Sequence, residues 1–170
     1  MLDPNFIQSV VLMVQHDKGG ALGLVLNRPT EITIKQAWSQ VSESVCDRED
    51  CLYVGGPCEG VLMALHPFAS AGQLEVVPEL FFCTETRHVE WLVRQKDETR
   101  IRFFVGYSGW SPGQLEKEMD SGSWLTTPAS LERVFLPDET LWRQIKRELA
   151  FTQLAGQVNP NIIPDDPASN

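Results

Sequence analysis

The sequence is short of positive charge. Fourteen lysine and arginine side chains stand against twenty-three aspartate and glutamate side chains, which gives a formal net charge of −9. A protein that binds nucleic acid normally presents a cluster of basic side chains to the phosphates. The most basic stretch, 87–102, holds five basic and three acidic residues, a surplus of two. We therefore expect direct DNA binding to be no tighter than weak, salt-sensitive association, at about 10⁻⁴ to 10⁻⁶ M.

Long apolar runs and paired cysteines are also missing. No stretch of eighteen apolar residues occurs, and no charged segment with an apolar core follows Met1. The sequence therefore predicts neither a membrane span nor an ordinary secretion signal. The four cysteines, at positions 46, 51, 58 and 83, include no C-x-x-C pair. We expect reduced thiols in a cytoplasmic protein, with a Cys46–Cys51 disulfide as the less favoured alternative.

The motifs that hold common cofactors are absent as well. No G-x-x-x-x-G-K-S/T phosphate loop occurs. The glycines at 19, 20 and 23 are followed by Leu24-Val25-Leu26, part of a predicted strand, where a dinucleotide fingerprint requires a helix. The three histidines, His16, His66 and His88, are scattered without the spacing of a metal site. We expect neither a cofactor nor a metal.

The length of the chain and the order of its predicted elements indicate the fold class. At 170 residues, with 42% apolar and 22% charged residues, the chain is long enough for one globular domain. Strands come first in hairpins and helices are interspersed later, which predicts an α+β fold with an antiparallel or mixed sheet. We expect the domain to span 1–155. The tail 156–170, rich in proline, asparagine and aspartate, is expected to be mobile or held only by Ile162 and Ile163.

Apolar periodicity and turn residues place the individual elements. Strands are predicted at 6–15, 21–26, 52–54, 61–65, 74–77, 80–83 and 101–105, and helices at 33–42, 86–95, 112–120 and from 137 onward. Thr33 is expected to cap its helix, Val41 to lie on that helix's apolar face, and Pro29 to stop strand pairing. Three tryptophans at helical core spacing are expected in the core: Trp38, Trp91 and Trp142.

The most unusual stretch is Gly-Tyr-Ser-Gly-Trp-Ser-Pro-Gly-Gln-Leu-Glu at 106–116, which follows a predicted strand. Ser111, Pro112 and Gln114 fit the N-cap, N1 and N3 positions of a helix, which makes a capping box. A glycine-rich turn between a strand and a capped helix gathers free backbone amides in one place. Trp110 is expected in that turn, either as an exposed platform for a partner or as a plug over the helix end.

Three polar side chains invite a catalytic interpretation. The G-x-S at 106–108 resembles the start of a nucleophile elbow, but Trp110 stands where the second glycine is required. A turn serine is therefore favoured over a Ser108 nucleophile activated by His66. His66 precedes a proline at a strand end, which favours a backbone-bonded histidine over a ligand or base. Glu118 falls beside an apolar stripe and is expected to be a hydrogen-bonded structural carboxylate.

Three turns that end predicted strands, at 27–29, 55–57 and 109–116, are expected to converge on one face. The helix start and Arg28 would attract phosphate or carboxylate there. The alternative that the sequence leaves open is that the turns only lock a bend in the sheet, with Arg28 paired to Glu116 or Glu118. The candidate binding residues are Asn27, Arg28, Pro29, Gly55, Gly56, Pro57, His66, Gly109, Trp110, Gly113, Gln114 and Glu116.

Several distinctive motifs lie between residues 3 and 150. They are Asp-Pro-x-Phe at 3–6, Gly-x-Val-Leu-Asn-Arg-Pro at 23–29, Val-Gly-Gly-Pro at 54–57, Leu-His at 65–66, and Gly-Tyr-Ser-Gly-Trp-Ser-Pro-Gly-Gln-Leu-Glu-x-Glu at 106–118, followed by Trp124. Together they resemble the YqgE/AlgH family of bacterial proteins. The resemblance implies an α+β fold in which a strongly bent sheet forms a pseudo-barrel flanked by helices, a cytoplasmic location and no established activity.

The sequence departs from that family at two places. Ser108 stands where the family more often has alanine, which weakens the nucleophile hypothesis. Family members usually carry a further strand ahead of the Asp-Pro pair, where this sequence has only Met1 and Leu2.

Two functional classes lead on this basis. The first is a non-catalytic binding module that recognises a small anionic ligand or an unknown protein partner through its glycine-rich turns. The alternative is a transcriptional regulator that acts directly or through a partner, a label attached to the family, although nothing here resembles a helix-turn-helix. An enzyme using His66 or Ser108 stands third.

Overall fold

The computed structural model describes residues 4–96 and 99–157, and for 153–157 the backbone alone. Within these residues there are nine strands and five α-helices. The strands are β1 (Val11–Asp17), β2 (Gly20–Val25), β3 (Pro29–Thr33), β4 (Cys51–Val54), β5 (Met63–His66), β6 (Leu74–Val77), β7 (Leu80–Cys83), β8 (Arg102–Val105) and β9 (Ser108–Trp110). The helices are α1 (Ile34–Trp38), α2 (Thr86–Val93), α3 (Gln114–Asp120), α4 (Leu131–Val134) and α5 (Asp138–Gln157). Nearly all of the predicted mobile tail lies outside the described residues.

The strands form two sheets. The small sheet is antiparallel, in the order β1-β2-β9. The large sheet has the order β3-β4-β8-β5-β7-β6, and its pairs are antiparallel except for β4 with β8. The predicted α+β class with a mixed sheet is confirmed. The strands are not closed into one barrel, and the bent sheet implied by the family resemblance is compatible with this arrangement.

The large sheet separates two hydrophobic cores, because neighbouring residues of a strand point to opposite faces. Met63 and Leu65 of β5 face a core shared with Leu24 of the small sheet and Leu141 of α5. Ala64, between them, faces the second core, which α1 and α2 cover. The described residues therefore form three layers: the small sheet with α4 and α5, the large sheet, and α1 with α2.

Most predicted strands occur, with shifted ends. β1 begins at Val11 because a 3-10 turn occupies Pro4–Phe6. The expectation that Pro29 stops strand pairing is wrong, since Pro29 is the first residue of β3 and lies opposite Tyr53. A strand tolerates proline at its first position, where the missing N–H breaks no ladder bond.

The first helix has the predicted cap but not the predicted length. Gln36 N–H donates to Thr33 Oγ1 at 3.2 Å, and Thr33 N–H donates to Gln36 Oε1 at 3.0 Å, which completes a capping box. The helix ends at Trp38, which is buried as expected, so Val41 lies beyond it and is 74% exposed. The core prediction is also wrong for Trp91, which lies on α2 and is 41% exposed.

The glycine-rich stretch contains a strand that its turn-like composition does not predict. Ser108–Trp110 forms β9 and pairs with β2 at the edge of the small sheet. The predicted capping box at Ser111 is wrong, since α3 begins at Gln114 and Gly113 is its N-cap. Gly113 has φ 73°, a left-handed conformation that turns the chain from strand into helix and favours glycine. One half of the predicted box exists, a hydrogen bond from Ser111 N–H to Gln114 Oε1 at 3.1 Å.

Gly55 joins the two sheets. Its N–H donates to the Val105 carbonyl of β8 at 2.9 Å, and its carbonyl accepts from Val25 N–H of β2 at 2.8 Å and from Ser108 Oγ at 3.2 Å. The backbones approach so closely that a Cβ on Gly55 would overlap the Gly106 carbonyl oxygen. This packing role favours the structural interpretation of the 55–57 turn over a ligand-binding one.

We expect Gly56→Ala to destabilise the fold strongly. Gly56 has φ 155°, and a Cβ there would overlap the backbone of Tyr107 and Ser108, so the loss should be about 3 kcal/mol or more. Gly113→Ala is the matched control. Alanine is strained at the positive φ of this position, but no atom lies within 4 Å of the added Cβ. Its expected loss is about 1–2 kcal/mol. Urea unfolding of both variants measures the difference, and equal losses would contradict the close crossing.

Candidate functional site: an apolar cavity beside the glycine-rich strand

Trp110 is buried at the side of the small sheet. It is 6% exposed, so it is not an exposed platform for a partner. Its ring lies over Gly23, where a Cβ would come within 3.3 Å of Trp110 Cζ3. The Phe6 ring stacks with it at 6.1 Å between centroids, and Trp124 meets it edge-on at 5.9 Å. Residues from four separate family motifs therefore meet in one aromatic cluster.

Glu118 holds two of these rings in place. Trp110 Nε1 donates to Glu118 Oε2 at 3.0 Å, Trp124 Nε1 donates to the same oxygen at 2.8 Å, and Gln114 Nε2 donates to Oε1 at 3.0 Å. Burial raises the pKa of Glu118, but the hydrogen bonds from Trp124, Gln114 and Trp110 outweigh it and hold the pKa below its ordinary value. The prediction of a structural carboxylate is confirmed. With both indole N–H groups engaged, the rings offer only apolar surface.

Asn27 and Arg28, two predicted binding residues, hold the N-terminal segment against the sheet. Asn27 Oδ1 accepts from Val10 N–H at 2.9 Å, and Asn27 Nδ2 donates to the Gln8 carbonyl at 2.9 Å. Arg28 Nη2 donates to the Ile7 carbonyl at 3.1 Å. The side chains of 27–28 therefore stabilise a turn in which Gln8 has φ 54°, and they fix the segment that carries the Phe6 ring.

The suggested pairing of Arg28 with Glu116 or Glu118 is wrong. Glu116 Oε1 lies 2.8 Å from His16 Nε2, a contact that ties α3 to the end of β1. Hydrogen bonds from its own backbone N–H and from His16 hold the pKa of Glu116 below its ordinary value. Glu116 lies in the first turn of α3, where the helix dipole stabilises its negative charge. A second anion at that helix start would be repelled by this carboxylate.

A cavity of about 520 Å³ lies beside the aromatic cluster. The N-terminal segment and β1 form one side, and α3, the segment 123–129 and α5 form the other. We call it the apolar cavity, and its walls are formed mainly by Phe6, Val11, Met13, Trp110, Leu115, Met119, Trp124, Trp142, Ile145, Lys146 and Leu149. Among the described residues that line it, Lys146 is the only charged one.

The apolar face of α5 packs into the core at one residue and lines the apolar cavity at three others. The sequence predicts a stripe of Leu141, Trp142, Ile145 and Leu149 on that helix, and Leu141 is fully buried in the core. The other three residues line the apolar cavity. Sequence reasoning missed this because an apolar stripe looks the same whether it covers a core or one wall of a cavity.

The two candidate catalytic side chains, Ser108 and His66, hydrogen-bond to different backbone groups. Ser108 Oγ, fully buried, donates to the Gly55 carbonyl. His66 is also fully buried, and its Nδ1 accepts from Phe68 N–H at 3.2 Å, so the prediction of a backbone-bonded histidine is confirmed. Burial, with a contribution from His88, lowers the pKa of His66 to about 4. In the described part of the chain, no cluster of three or more histidine, cysteine or acidic side chains could hold a metal ion.

A second cavity, of about 560 Å³, lies beside Arg102 at the start of β8. Arg102 donates from Nη1 to the Leu26 carbonyl and from Nη2 to the Leu136 carbonyl, both at 2.7 Å, and pairs with Asp138 at 3.0 Å. Its guanidinium also lies 4.8 Å from the centre of the Tyr53 ring. Because the charge of Arg102 is already paired with Asp138 and its two terminal nitrogens bond to backbone carbonyls, this cavity is a weaker candidate for binding an anion.

The fold and the cavity define an α+β protein of two packed sheets with an apolar site against a glycine-rich edge strand. A profile of the family described as AlgH-like matches residues 1–153. The chain therefore belongs to the AlgH-like family, and the resemblance seen in the motifs is confirmed.

Individual relatives agree with this assignment. The chain is 37% identical over 153 residues to a UPF0301 protein of Chlorobaculum tepidum, covering 86% of this chain and 80% of the relative. The solution structure of the AlgH protein from Pseudomonas aeruginosa is similar with a TM-score of 0.74 and 31% identity, covering 94% of this chain and 89% of that one. The crystal structure of DIP2367 from Corynebacterium diphtheriae, at 23% identity, 87% and 81% coverage and a TM-score of 0.68, shares the fold.

Two predictions concern location and partners. Within the described residues, no helix is both long and apolar enough to cross a membrane. The cytoplasmic location and the unknown protein or anionic partner stay predictions.

We expect His66→Phe to flatten the pH dependence of stability between pH 6.5 and 4. The pKa of His66 is lower in the folded state than in the unfolded chain, so the unfolded chain binds more protons in this window and stability falls as the pH falls. In the wild type, His66 should lower the free energy of unfolding by about 3 kcal/mol between pH 6.5 and pH 4, and His66→Phe should abolish this decrease. Urea unfolding at several pH values measures it, with His16→Gln at the surface as the control. A wild-type slope retained by His66→Phe would contradict the assignment.

We expect Glu118→Gln to destabilise the protein by about 1–3 kcal/mol, because two indole N–H groups and Gln114 lose a charged acceptor. The indole N–H resonances of Trp110 and Trp124 should move together in NMR spectra. Glu116→Gln is the control, since its partner is the exposed His16 and a smaller loss with unchanged indole resonances is expected. Similar effects of the two substitutions would show that Glu118 does not organise the cluster.

Proposed function

We propose that this protein is a non-catalytic binding module whose ligand occupies the apolar cavity. The cavity itself carries the proposal: it measures about 520 Å³ and is bounded by the rings of Trp110, Trp124 and Trp142. Small-molecule sites in proteins typically measure about 300–1,000 Å³ and have mostly apolar and aromatic walls. Such walls favour a ligand that buries hydrophobic surface.

The placement of the polar side chains supports binding over catalysis. A nucleophilic mechanism needs a nucleophile within hydrogen-bond reach of a base. Ser108 Oγ donates to the Gly55 carbonyl and His66 Nδ1 accepts from the Phe68 N–H, while His66 Nε2 is buried without a hydrogen-bond partner. No hydrogen bond within the described residues therefore joins this serine to this histidine. Glu118, the acidic group nearest the aromatic rings, has hydrogen bonds on both oxygens.

The predicted binding residues contribute to this site in different ways. Trp110 lines the cavity, and Asn27 and Arg28 hold the segment that forms one wall. Gly55 and Gly56 act through backbone packing. An anionic ligand at the turns themselves, with Gly113 and Gln114 as donors, stays a prediction without support from these contacts.

A regulatory role fits the same site. With a net charge of −9, the protein is poorly suited to contact DNA directly. Regulation would then act through occupancy of the apolar cavity and its effect on a partner.

We expect the neutral fluorescent probe N-phenyl-1-naphthylamine to bind the wild-type protein with a rise in fluorescence. Ala129→Phe places a ring in the cavity wall and should weaken binding by about tenfold or more. Ala150→Phe is the matched control, because Ala150 is an exposed alanine of α5 that does not line the cavity. Urea unfolding checks that both variants are folded. No binding by the wild type, or equal weakening by both substitutions, would contradict the proposal.

A further inference from the structure

We infer that the ligand of the apolar cavity is a small molecule with an apolar body and one anionic group, and that Lys146 pairs with this group. The inference rests on the proposed function and adds the chemical class of the ligand.

Among the described residues, Lys146 forms no ion pair with an acidic side chain. In the part of the chain that the structure describes, no carboxylate lies within ion-pair distance of Lys146 Nζ, and its closest ring contact is Trp142, 4.8 Å away. Arg133, close to the same helix, pairs instead with Glu148 at 2.8 Å. In a chain with fourteen basic and twenty-three acidic side chains, an unpaired cation beside an apolar cavity is complementary to an anion.

The other polar groups at the cavity are largely satisfied within the protein. Ser9 Oγ donates to the Phe6 carbonyl at 2.9 Å, and Thr127 Oγ1 accepts from Arg133 Nη1 at 3.1 Å. Glu118, which does not line the cavity, accepts from the two indoles and Gln114. A ligand with many polar groups would therefore leave them unpaired, which is costly, whereas a single charged group meets Lys146.

The position of Lys146 sets where the two parts of the ligand lie. Trp142 and Leu149 are one helical turn before and after it, and all three side chains line the cavity. A carboxylate at Lys146 would lie at the solvent side, since Lys146 is exposed, and an aliphatic or aromatic body would extend along the tryptophan rings. The cavity volume of about 520 Å³ lies within the range typical of small-molecule sites.

The test compares three ligands with the same ten-carbon chain: decanoate, decanol and decylammonium. Each is used to displace N-phenyl-1-naphthylamine from the 170-residue protein, at concentrations below micelle formation. We expect decanoate to bind about three- to tenfold more tightly than decanol, and decylammonium to bind most weakly. Lys146→Gln should remove the preference for decanoate while leaving decanol binding unchanged. Lys117→Gln, an exposed lysine of α3 outside the cavity, should retain the preference.

The outcomes separate the two proposals. Equal binding of decanoate and decanol, or a preference that persists in Lys146→Gln, would overturn the anionic ligand and leave the binding module intact. Failure of the neutral probe and of all three ligands to bind would overturn the proposed function itself. Binding of an acidic amphipathic peptide in place of the small molecules would overturn the inference in favour of a protein partner.

Discussion

The rest of the structure depends on the close backbone crossing at Gly55. Its N–H bonds to β8 of the large sheet, and its carbonyl accepts from β2 of the small sheet and from Ser108. Three peptide segments meet there with no space for a side chain, because a Cβ at Gly55 would lie 2.3 Å from the Gly106 carbonyl oxygen. The crossing sets how the chain leaves the large sheet after β8 and joins the small sheet as β9.

That crossing also decides where Trp110 lies. Because β9 pairs with β2, the indole is placed over Gly23 rather than in a solvent-exposed turn. Glu118 then fixes the ring through its N–H and orients Trp124 against it. The Glu118 carboxylate accepts from the only polar atom of each indole, so the Trp110 and Trp124 rings present only apolar surface to the cavity.

The same arrangement supports the proposal that this site binds a ligand. The polar groups near the cavity are held by internal hydrogen bonds, so their role is to position rings and segments. Asn27 and Arg28 illustrate this, because both side chains bond to backbone groups of residues 7–10. Among the described residues, the cavity walls are mostly apolar, and the exposed Lys146 is their charged member.

The sequence by itself determined the α+β class, the family, most strands, the cap at Thr33 and the structural roles of Glu118 and His66, because these follow from local periodicity, capping chemistry and motif spacing. Only the tertiary structure decided that Pro29 begins a strand, that Trp91 is exposed and that the 108–110 stretch is a strand. The cavity was likewise beyond the sequence. Its walls come from segments more than one hundred residues apart, and the apolar stripe of α5 carries no mark that distinguishes an open wall from a filled core.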